Sequence, residues 1–321
     1  MAASVIVDVA GGSSGGAARF RGEVYRYLER TGREDVQIVG ERRRLDPMWL
    51  VQRETARSAG ARRVALNNVG FVTPGGARWT LVANALHFLT DAEAATLNPS
   101  LRALVQRQAL VVRLAARRSD VLIAPSTAMA ERVAHTMPGV RSRLVVRMHP
   151  VSPDMIPRKW ADPLILCPVL LAPYKHMNER LTDWLAAADG HINPSIRLLV
   201  TATADEVPEA IARSPRIQML GRLNHAELRR LWACCRAIYF PPGLESFGFP
   251  LAEARVNGQP VIAQDTPQNR EIAGPALCGF TVGDAESLRH ATELALTTEV
   301  APDPAPFDPD AYFDWMLGRA S

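Results

Sequence analysis

Short apolar runs alternate with segments of helical periodicity along almost the whole chain, and this alternation restricts the fold more than any other feature. Residues 36–39, 121–125 and 237–240 are such runs, and apolar residues recur with the period of a helix in the segments between many of them. Parallel strands can be joined only by a crossover connection, which is usually a helix. The alternation therefore predicts an α/β protein built from βαβ units with parallel sheets.

The length of the chain predicts two domains. Its 321 residues exceed one average domain and fit two of roughly 150 residues each. Hydrophobic residues make up 47% and charged residues 22%, so both halves can bury a core. Residues 149–163 contain four prolines, which interrupt helices and strands and mark a linker. We predict a first Rossmann-like domain at 1–152, a second at 153–308, and a C-terminal helix at 309–321 that packs back towards the first.

A glycine-rich turn lies between the first apolar run and the first helical segment. Residues 4–10 predict a strand, residues 11–16 contain four glycines, and residues 17–30 predict a helix. Strand, tight loop and helix open a Rossmann-like domain, in which the helix N-terminus can hold a phosphate. The loop lacks the Gly-x-Gly-x-x-Gly spacing of dinucleotide-binding proteins, so a dehydrogenase is the weaker interpretation.

The strongest chemical signal is a pair of glutamates, Glu245 and Glu253, separated by seven residues. Pro250 suits the first position of a helix, whose early backbone amides would lack intrahelical partners and form an anion site. Gly248 would let a diphosphate approach the backbone at this positive end of the helix. Glu253, one turn inside, could accept hydrogen bonds from ribose hydroxyls. By itself the pattern is also explained by a first-turn acid and a solvated loop acid.

This run resembles the Glu-x7-Glu signature of glycosyltransferase family 4, and the similarity continues through residues 257–263 and 270–272. The resemblance implies the GT-B fold, in which two Rossmann-like domains face each other across a cleft. It implies transfer of a sugar from a nucleoside diphosphate sugar, held mainly by the second domain, with retention at the anomeric carbon and no metal cofactor. It covers residues 164–282 well and the first domain only through its loop and a few strand ends.

The resemblance also implies roles for individual residues. Lys175 occupies the position of the family's phosphate-binding lysine, Glu245 would orient or support the sugar, and His87 would contact it. The implied donor site comprises Gly15, Gly16, Lys175, Gly221, Arg222, Ser246, Phe247, Gly248 and Glu253. Val169 stands where many members carry an arginine, so the stabilisation of the leaving group is expected to be thinner. Lys175 as a solvated loop residue and His87 as a core or capping residue remain open alternatives.

The arginine clusters bear on the binding partners of the chain. Arginines cluster at 42–44 and again from 102 to 118, although the net charge is only +4. A basic helix can bind anionic lipid or nucleic acid, or it can simply be solvated. We expect no nucleic acid partner and keep peripheral membrane contact open.

The four cysteines have neither zinc nor redox spacing and are expected to be reduced. The one Asp-x-Asp sequence, at Asp308, is better explained as a helix cap than as a metal site.

Several features stay undetermined at this level. No apolar run reaches the ~20 residues that span a bilayer, so we expect a cytoplasmic protein, and the richness in alanine and arginine suggests a bacterial one. The donor could be UDP-, GDP- or dTDP-linked, and the acceptor could be a natural product, a polysaccharide or a lipid. A non-catalytic sugar-nucleotide-binding partner and a GT-B epimerase or coupling enzyme are the competing interpretations. The oligomeric state is unknown.

Overall fold

The chain forms two compact units. The structure is a computed structural model and describes residues 4–12, 15–56, 60–153, 163–169, 171–191 and 193–318, with only the backbone at 190, 191 and 225. Most of the predicted linker, residues 154–162, lies outside the described residues. One unit comprises Met1–Val151, Glu245–Phe247 and Phe307–Ser321, and the other comprises Ser152–Leu244 and Gly248–Pro306.

The first unit is built on a parallel sheet. Within the described residues its six strands are β1 (Val5–Asp8), β2 (Val36–Val39), β3 (Arg62–Ala65), β4 (Arg78–Leu81), β5 (Val121–Ala124) and β6 (Leu144–Val146). Their order is β2-β1-β3-β4-β5-β6, with every pairing parallel. The helices between them are α1 (Gly15–Thr31), α2 (Pro47–Gln52), α3 (Asp91–Ala95), α4 (Pro99–Ala116) and α5 (Thr127–Thr136).

The second unit repeats this architecture. Its strands, counted over the residues described, are β7 (Leu164–Cys167), β8 (Arg197–Val200), β9 (Ile217–Met219), β10 (Ala237–Phe240), β11 (Val261–Gln264) and β12 (Leu277–Phe280). They are parallel in the order β12-β11-β10-β7-β8-β9. The helices are α6 (Met177–His191), α7 (Glu209–Ala212), α8 (His225–Cys234), α9 (Phe249–Val256), α10 (Pro267–Ala273) and α11 (Ala285–Thr297).

Burial explains why the central strands consist mainly of apolar residues. All four residues of β1 and all four of β10 are buried, because central strands of a parallel sheet are covered on both faces. Trp184 of α6 is fully buried in the core of the second unit, beside the side chains of β7 and β8. The predicted α/β class with two Rossmann-like units is confirmed.

The final helix, α12 (Pro309–Leu317), belongs to the first unit. The Tyr27 hydroxyl of α1 donates a 2.6 Å hydrogen bond to Oδ1 of Asp314, and Phe313 packs against the Tyr27 ring at 5.1 Å between centroids. The Asp308 carboxylate accepts from the backbone amides of Asp310 and Ala311 at 2.8 and 3.3 Å. The interpretation of the Asp-x-Asp sequence as a cap is therefore confirmed.

Among the described residues, no helix combines the length and apolar character that crossing a membrane requires. Of the four cysteines, Cys167, Cys235 and Cys278 are buried, whereas Cys234 is exposed, and all four are free thiols.

Candidate functional site

The candidate donor site lies at the carboxyl edge of the second sheet. Strands β7 and β10 are parallel neighbours, with Ile165 beside Ala237, so their carboxyl ends meet at one edge. The chain leaves β7 towards β8 on one side and adds β10 on the other, so the strand order reverses between them. Open α/β sheets bind ligands outside such a reversal point. The loop after β7 leads to Lys175 and the loop after β10 leads to Glu245.

Lys175 ends a single 3-10 turn, Pro173–Lys175, and its backbone amide donates to the Ala172 carbonyl at 2.9 Å. Its side chain is half-buried, with the ammonium 6.0 Å from the centroid of the Tyr174 ring. The next residue, His176, has φ 52° in the left-handed region, which is uncommon for a residue with a side chain. Strained backbone of this kind is often held at functional sites, and here it fixes the exit of the chain from the lysine turn.

Val169 is an uncharged residue at the position where the resemblance predicts an arginine. It is only 7% exposed and lies in the core of the second unit. Its amide donates to the Thr201 hydroxyl at 2.9 Å, and that hydroxyl donates to the Val169 carbonyl at 3.1 Å. These hydrogen bonds hold the start of the loop to Thr201, the residue that follows β8.

Helix α9 begins at Phe249, one residue before the predicted start at Pro250, with Gly248 as its cap. Pro250 has no N–H, and the amide of Leu251 donates to the Gly248 carbonyl at 2.9 Å. The expectation that the early amides all lack partners is therefore wrong for Leu251, and this turn offers fewer donors to an anion. The φ of Gly248 is 86°, and a Cβ there would lie 3.0 Å from both the Phe240 ring and the Leu251 side chain.

The two motif glutamates are both half-buried, but they belong to different units. Glu253 lies on α9, where its backbone carbonyl accepts a 2.8 Å hydrogen bond from the side-chain amide of Asn257. Glu245 lies in the three-residue segment, Glu245–Phe247, that belongs to the first unit. Lys175, Gly248 and Glu253 thus belong to the second unit and lie at the carboxyl edge of its sheet. Glu245 belongs to the first unit.

Gly221 and Arg222 follow β9 at the same edge of the second sheet. Gly221 has φ 70°, and its amide donates to the Ala202 carbonyl at 2.9 Å. The Arg222 guanidinium pairs with the Glu206 carboxylate, which also accepts from the Thr203 amide at 2.9 Å. Arg222 is thus held in place by an ion pair that sequence reasoning did not identify.

In the first unit, Gly15 and Gly16 open α1. Gly15 has φ 58°, and a Cβ there would meet nothing within 4 Å, so the backbone faces open space. The first turn of α1 carries no acidic residue, which leaves its positive end uncompensated by side chains of that turn. Residues 13 and 14 of the predicted loop lie outside the described part.

His87 lies in a 3-10 turn, Ala85–Phe88, that Asn84 caps. The imidazole is 7% exposed, and burial lowers its pKa to about 4, so it is neutral near pH 7. Nε2 lies 3.4 Å from the Asn84 side-chain amide, and the His87 carbonyl accepts from Arg113 at 3.0 Å. Its role towards a sugar stays a prediction.

The segment Glu245–Phe247 is anchored in the first unit. The Ser246 hydroxyl donates to the Ala83 carbonyl at 2.7 Å, and the Ser246 carbonyl accepts from the Ser126 hydroxyl at 3.0 Å. Phe247 is 1% exposed and packs against His149 and Phe307 at 4.8 and 6.3 Å between centroids. The side chains of Ser246 and Phe247, both predicted to bind donor, thus hold the segment in place.

Sequence reasoning missed a buried polar cluster at the reversal point of the first sheet, between β1 and β3. Asp8 ends β1 and is fully buried, as is the Arg53 guanidinium, whose Nη1 donates to it at 2.6 Å. Asp8 also accepts from Ala10 N, Trp49 Nε1 and Asn67 Nδ2 at 3.0, 3.1 and 2.8 Å. The signal available was a carboxylate inside an otherwise apolar run, because a buried carboxylate requires partners.

Comparison with known proteins bears on one segment of the chain and on its fold. Residues 209–305 match the family described as Glycosyl transferases group 1. A GDP-mannose-dependent alpha-mannosyltransferase from Mycolicibacterium smegmatis is 29% identical over 193 residues, which are 57% of this chain and 49% of that protein. The chain thus spans about half the length of the curated relative that it matches.

Solved structures share the fold at low identity. WaaG, a glycosyltransferase involved in lipopolysaccharide biosynthesis, has a TM-score of 0.65 at 14% identity, over 98% of this chain and 100% of that one. HepE from Anabaena, in complex with UDP and glucose, has a TM-score of 0.60 at 13% identity, over 98% and 95% of the two chains. Both sheets and these neighbours confirm the predicted fold class, α/β of the GT-B type.

Proposed function

We propose that this chain is a retaining glycosyltransferase of family 4 that moves a hexose from a nucleoside diphosphate sugar to an acceptor, without a metal cofactor. The observation that carries the proposal is the carboxyl edge of the second sheet. There a lysine turn after β7 and a glycine-capped helix after β10 flank the reversal point. The helix lies within residues 209–305, which match the family described as Glycosyl transferases group 1.

In the proposed reaction the bond between the anomeric carbon and the diphosphate oxygen breaks while an acceptor oxygen attacks from the same face. The acceptor proton passes to a phosphate oxygen, and the nucleoside diphosphate leaves. Lys175 and the N-terminus of α9 stabilise the negative charge on the leaving diphosphate. Glu253 accepts hydrogen bonds from the ribose hydroxyls, and Glu245 supports the sugar. Both glutamates therefore act as hydrogen-bond acceptors, and neither is a nucleophile.

The donor class is the next part of the proposal. The mycobacterial relative is named for GDP-mannose, whereas HepE was solved with UDP and glucose. The sequence similarity favours GDP-mannose as the first donor to test, with UDP- and dTDP-sugars beside it. We place the reaction in a bacterial cytoplasm, and the acceptor in one of three classes, which are natural products, polysaccharides and lipids.

The test is calorimetric titration with GDP, UDP and dTDP in the absence of added metal, on the natural chain and two variants. Glu253→Gln removes the carboxylate at nearly constant volume and should weaken binding about 10- to 100-fold, because a hydrogen bond to a charged group contributes roughly 1.5 to 3 kcal/mol. Glu299→Gln, at an exposed position of the same unit, is the matched control and should bind as the natural chain does.

Turnover of the bound donor separates the competing interpretations. Release of nucleoside diphosphate from a donor sugar, with an α-linked product by proton NMR, supports a retaining transferase. Tight binding with no release under any acceptor supports the non-catalytic sugar-nucleotide-binding interpretation. Release of nucleotide with epimerised sugar supports the epimerase. Failure of all three nucleotides to bind would contradict the donor site itself.

A further inference from the structure

The first unit carries an apolar surface around α2 and α4. Large apolar side chains are exposed around α2 and α4, among them Met48 by 76%, Val51 by 73%, Leu110 by 61%, Leu104 by 53%, Leu114 by 52%, Val72 by 46% and Val111 by 45%. We call them the α2–α4 surface. Helix α4 buries a separate inner stripe that includes Val105, Ala109 and Val112. Core packing therefore does not account for its outer leucines.

Residues of both helices border one cavity, which connects part of the α2–α4 surface. The cavity has a volume of about 380 Å³, and Leu50 of α2 lines it together with Val72 and with Val111 and Leu114 of α4. Soluble proteins rarely expose contiguous apolar patches unless these have a binding role. We therefore expect a binding partner that covers these leucine and valine side chains.

The charges around the α2–α4 surface restrict that occupant. Residues 99–118, which are α4 and the two residues after it, contain five arginines and no acidic residue. Arg107, Arg117 and Arg118 are exposed there, and the run 42–44 before α2 adds three more exposed arginines. The acidic neighbours are engaged, because Glu54 accepts from the Val72 amide at 3.0 Å and Asp46 accepts from the Trp49 amide at 2.8 Å.

We propose that the α2–α4 surface docks this chain onto an anionic lipid bilayer. An interfacial element combines exposed Leu, Val and Met with flanking arginines, so that apolar side chains enter the acyl boundary while the cations meet lipid phosphates. A second copy of the chain would bring two arginine sets together, and a nucleic acid would satisfy the arginines but leave the leucines in water. The anionic bilayer matches both features.

The test is flotation of the purified full chain with vesicles of phosphatidylcholine alone and with vesicles that also contain phosphatidylglycerol. Binding is expected only with phosphatidylglycerol and should weaken as salt is raised, because salt screens exposed charges. Met48→Ser combined with Leu110→Ser should reduce the partition coefficient at least tenfold. Arg107→Gln and Arg117→Gln should each reduce it about fivefold, from about 1 kcal/mol per arginine.

Matched controls lie on the second unit. Leu294→Ser replaces a leucine that is 42% exposed on α11, and Arg213→Gln replaces an exposed arginine; both should leave the partition coefficient unchanged. Circular dichroism before flotation excludes variants that have lost the fold.

Three results would overturn the proposal. These are equal binding to uncharged vesicles, no binding to either kind, and wild-type binding by the Met48 and Leu110 variant. Sedimentation that shows dimerisation abolished by the same variant would assign the surface to a second copy instead. Filter binding of an RNA or DNA duplex that the arginine variants abolish and the leucine variant leaves intact would assign it to nucleic acid. None of these measurements depends on glycosyl transfer.

Discussion

Single residues of the family-like motif have structural roles that their spacing alone does not reveal. Gly258 follows α9 with φ 62°, and a Cβ there would lie 2.5 Å from the Val300 carbonyl oxygen and 2.7 Å from the Pro302 nitrogen. Gln259, fully buried, donates to the Trp232 carbonyl at 3.3 Å. The Asn-Gly-Gln run after α9 is thus required for the close approach of two backbone segments, whatever it does for a ligand.

We expect Gly258→Ala to lower the free energy of unfolding by about 2 to 5 kcal/mol. The left-handed conformation costs a residue with a Cβ roughly 1 to 2 kcal/mol, and overpacking adds about 1 to 3. Urea unfolding followed by circular dichroism measures it. Gly22→Ala inside α1, where a Cβ meets only the end of Arg26 at 3.8 Å, is the control and should stabilise by roughly 0.5 to 1 kcal/mol. Equal effects of the two variants would contradict the argument.

Two buried histidines make the stability of the chain dependent on pH. Burial lowers the pKa of His149 to about 3 and that of His87 to about 4, against an ordinary value of 6.5. The unfolded chain therefore binds more protons than the folded chain below pH 6.5, so the free energy of unfolding falls as the pH decreases from 6.5 towards these folded values. At pH 5 each histidine removes about 2 kcal/mol.

His149→Leu should lessen the difference in unfolding free energy between pH 7 and pH 5 by about 2 kcal/mol. Urea unfolding at the two pH values measures that difference directly. A change in stability that is the same at both pH values does not affect it. His135→Leu, at an exposed position on α5, serves as the control. If the difference is the same in the natural chain and in His149→Leu, the imidazole between Phe20 and Phe247 is not the group that resists protonation.

At the scale of elements, the sequence predicted strands at the centre and at the edge of a sheet and missed the last strand. The bounds of β10, a central strand, and of β2, an edge strand, agree with the predicted runs. Strand β12 was not predicted, because Gly279 interrupts its short apolar run; a Cβ there would lie 2.9 Å from Asp265. The start of α9 was placed one residue late because the rule for proline at the first helical position does not account for a left-handed glycine cap.

Helix α12 should contribute much of the stability of the first unit. Phe313 is fully buried, and its ring lies 5.9 Å from that of Phe20 and 5.1 Å from that of Tyr27 on α1. Phe313→Ala removes these contacts and should lower the free energy of unfolding by about 3 to 5 kcal/mol. Leu294→Ala, on an exposed position of α11, should change it by less than ~0.5 kcal/mol.

The measurement is urea unfolding of both variants, followed by circular dichroism. A loss below about 1 kcal/mol for Phe313→Ala would show that α12 is not part of the cooperative core of the first unit. Tyr27→Phe, which removes only the hydroxyl that donates to Asp314, should cost about 1 kcal/mol and separates the hydrogen bond from the ring packing.

At the scale of the whole molecule, both sheets reverse their strand order once, and the candidate residues gather at their carboxyl edges. That placement could be predicted from the sequence for Lys175 and Glu253, because loop and helix boundaries follow from local patterns. The assignment of Glu245–Phe247 to the first unit could not, because it depends on a hydroxyl of Ser126 and a carbonyl of Ala83 that are distant in sequence. Long-range contacts of single polar groups leave no periodic signal.

This division of the motif predicts how Ser246→Ala should behave. In the proposed reaction the second unit holds most of the nucleotide, whereas Ser246 secures Glu245 through its 2.7 Å hydrogen bond to Ala83. Losing this bond should leave the dissociation constant for the nucleotide within about twofold and lower the transfer rate about tenfold, which corresponds to roughly 1.4 kcal/mol of barrier. Ser142→Ala, at an exposed position, should change neither quantity. The opposite pattern, with weakened nucleotide binding and an unchanged rate at saturation, would return Ser246 to the donor site where sequence reasoning placed it.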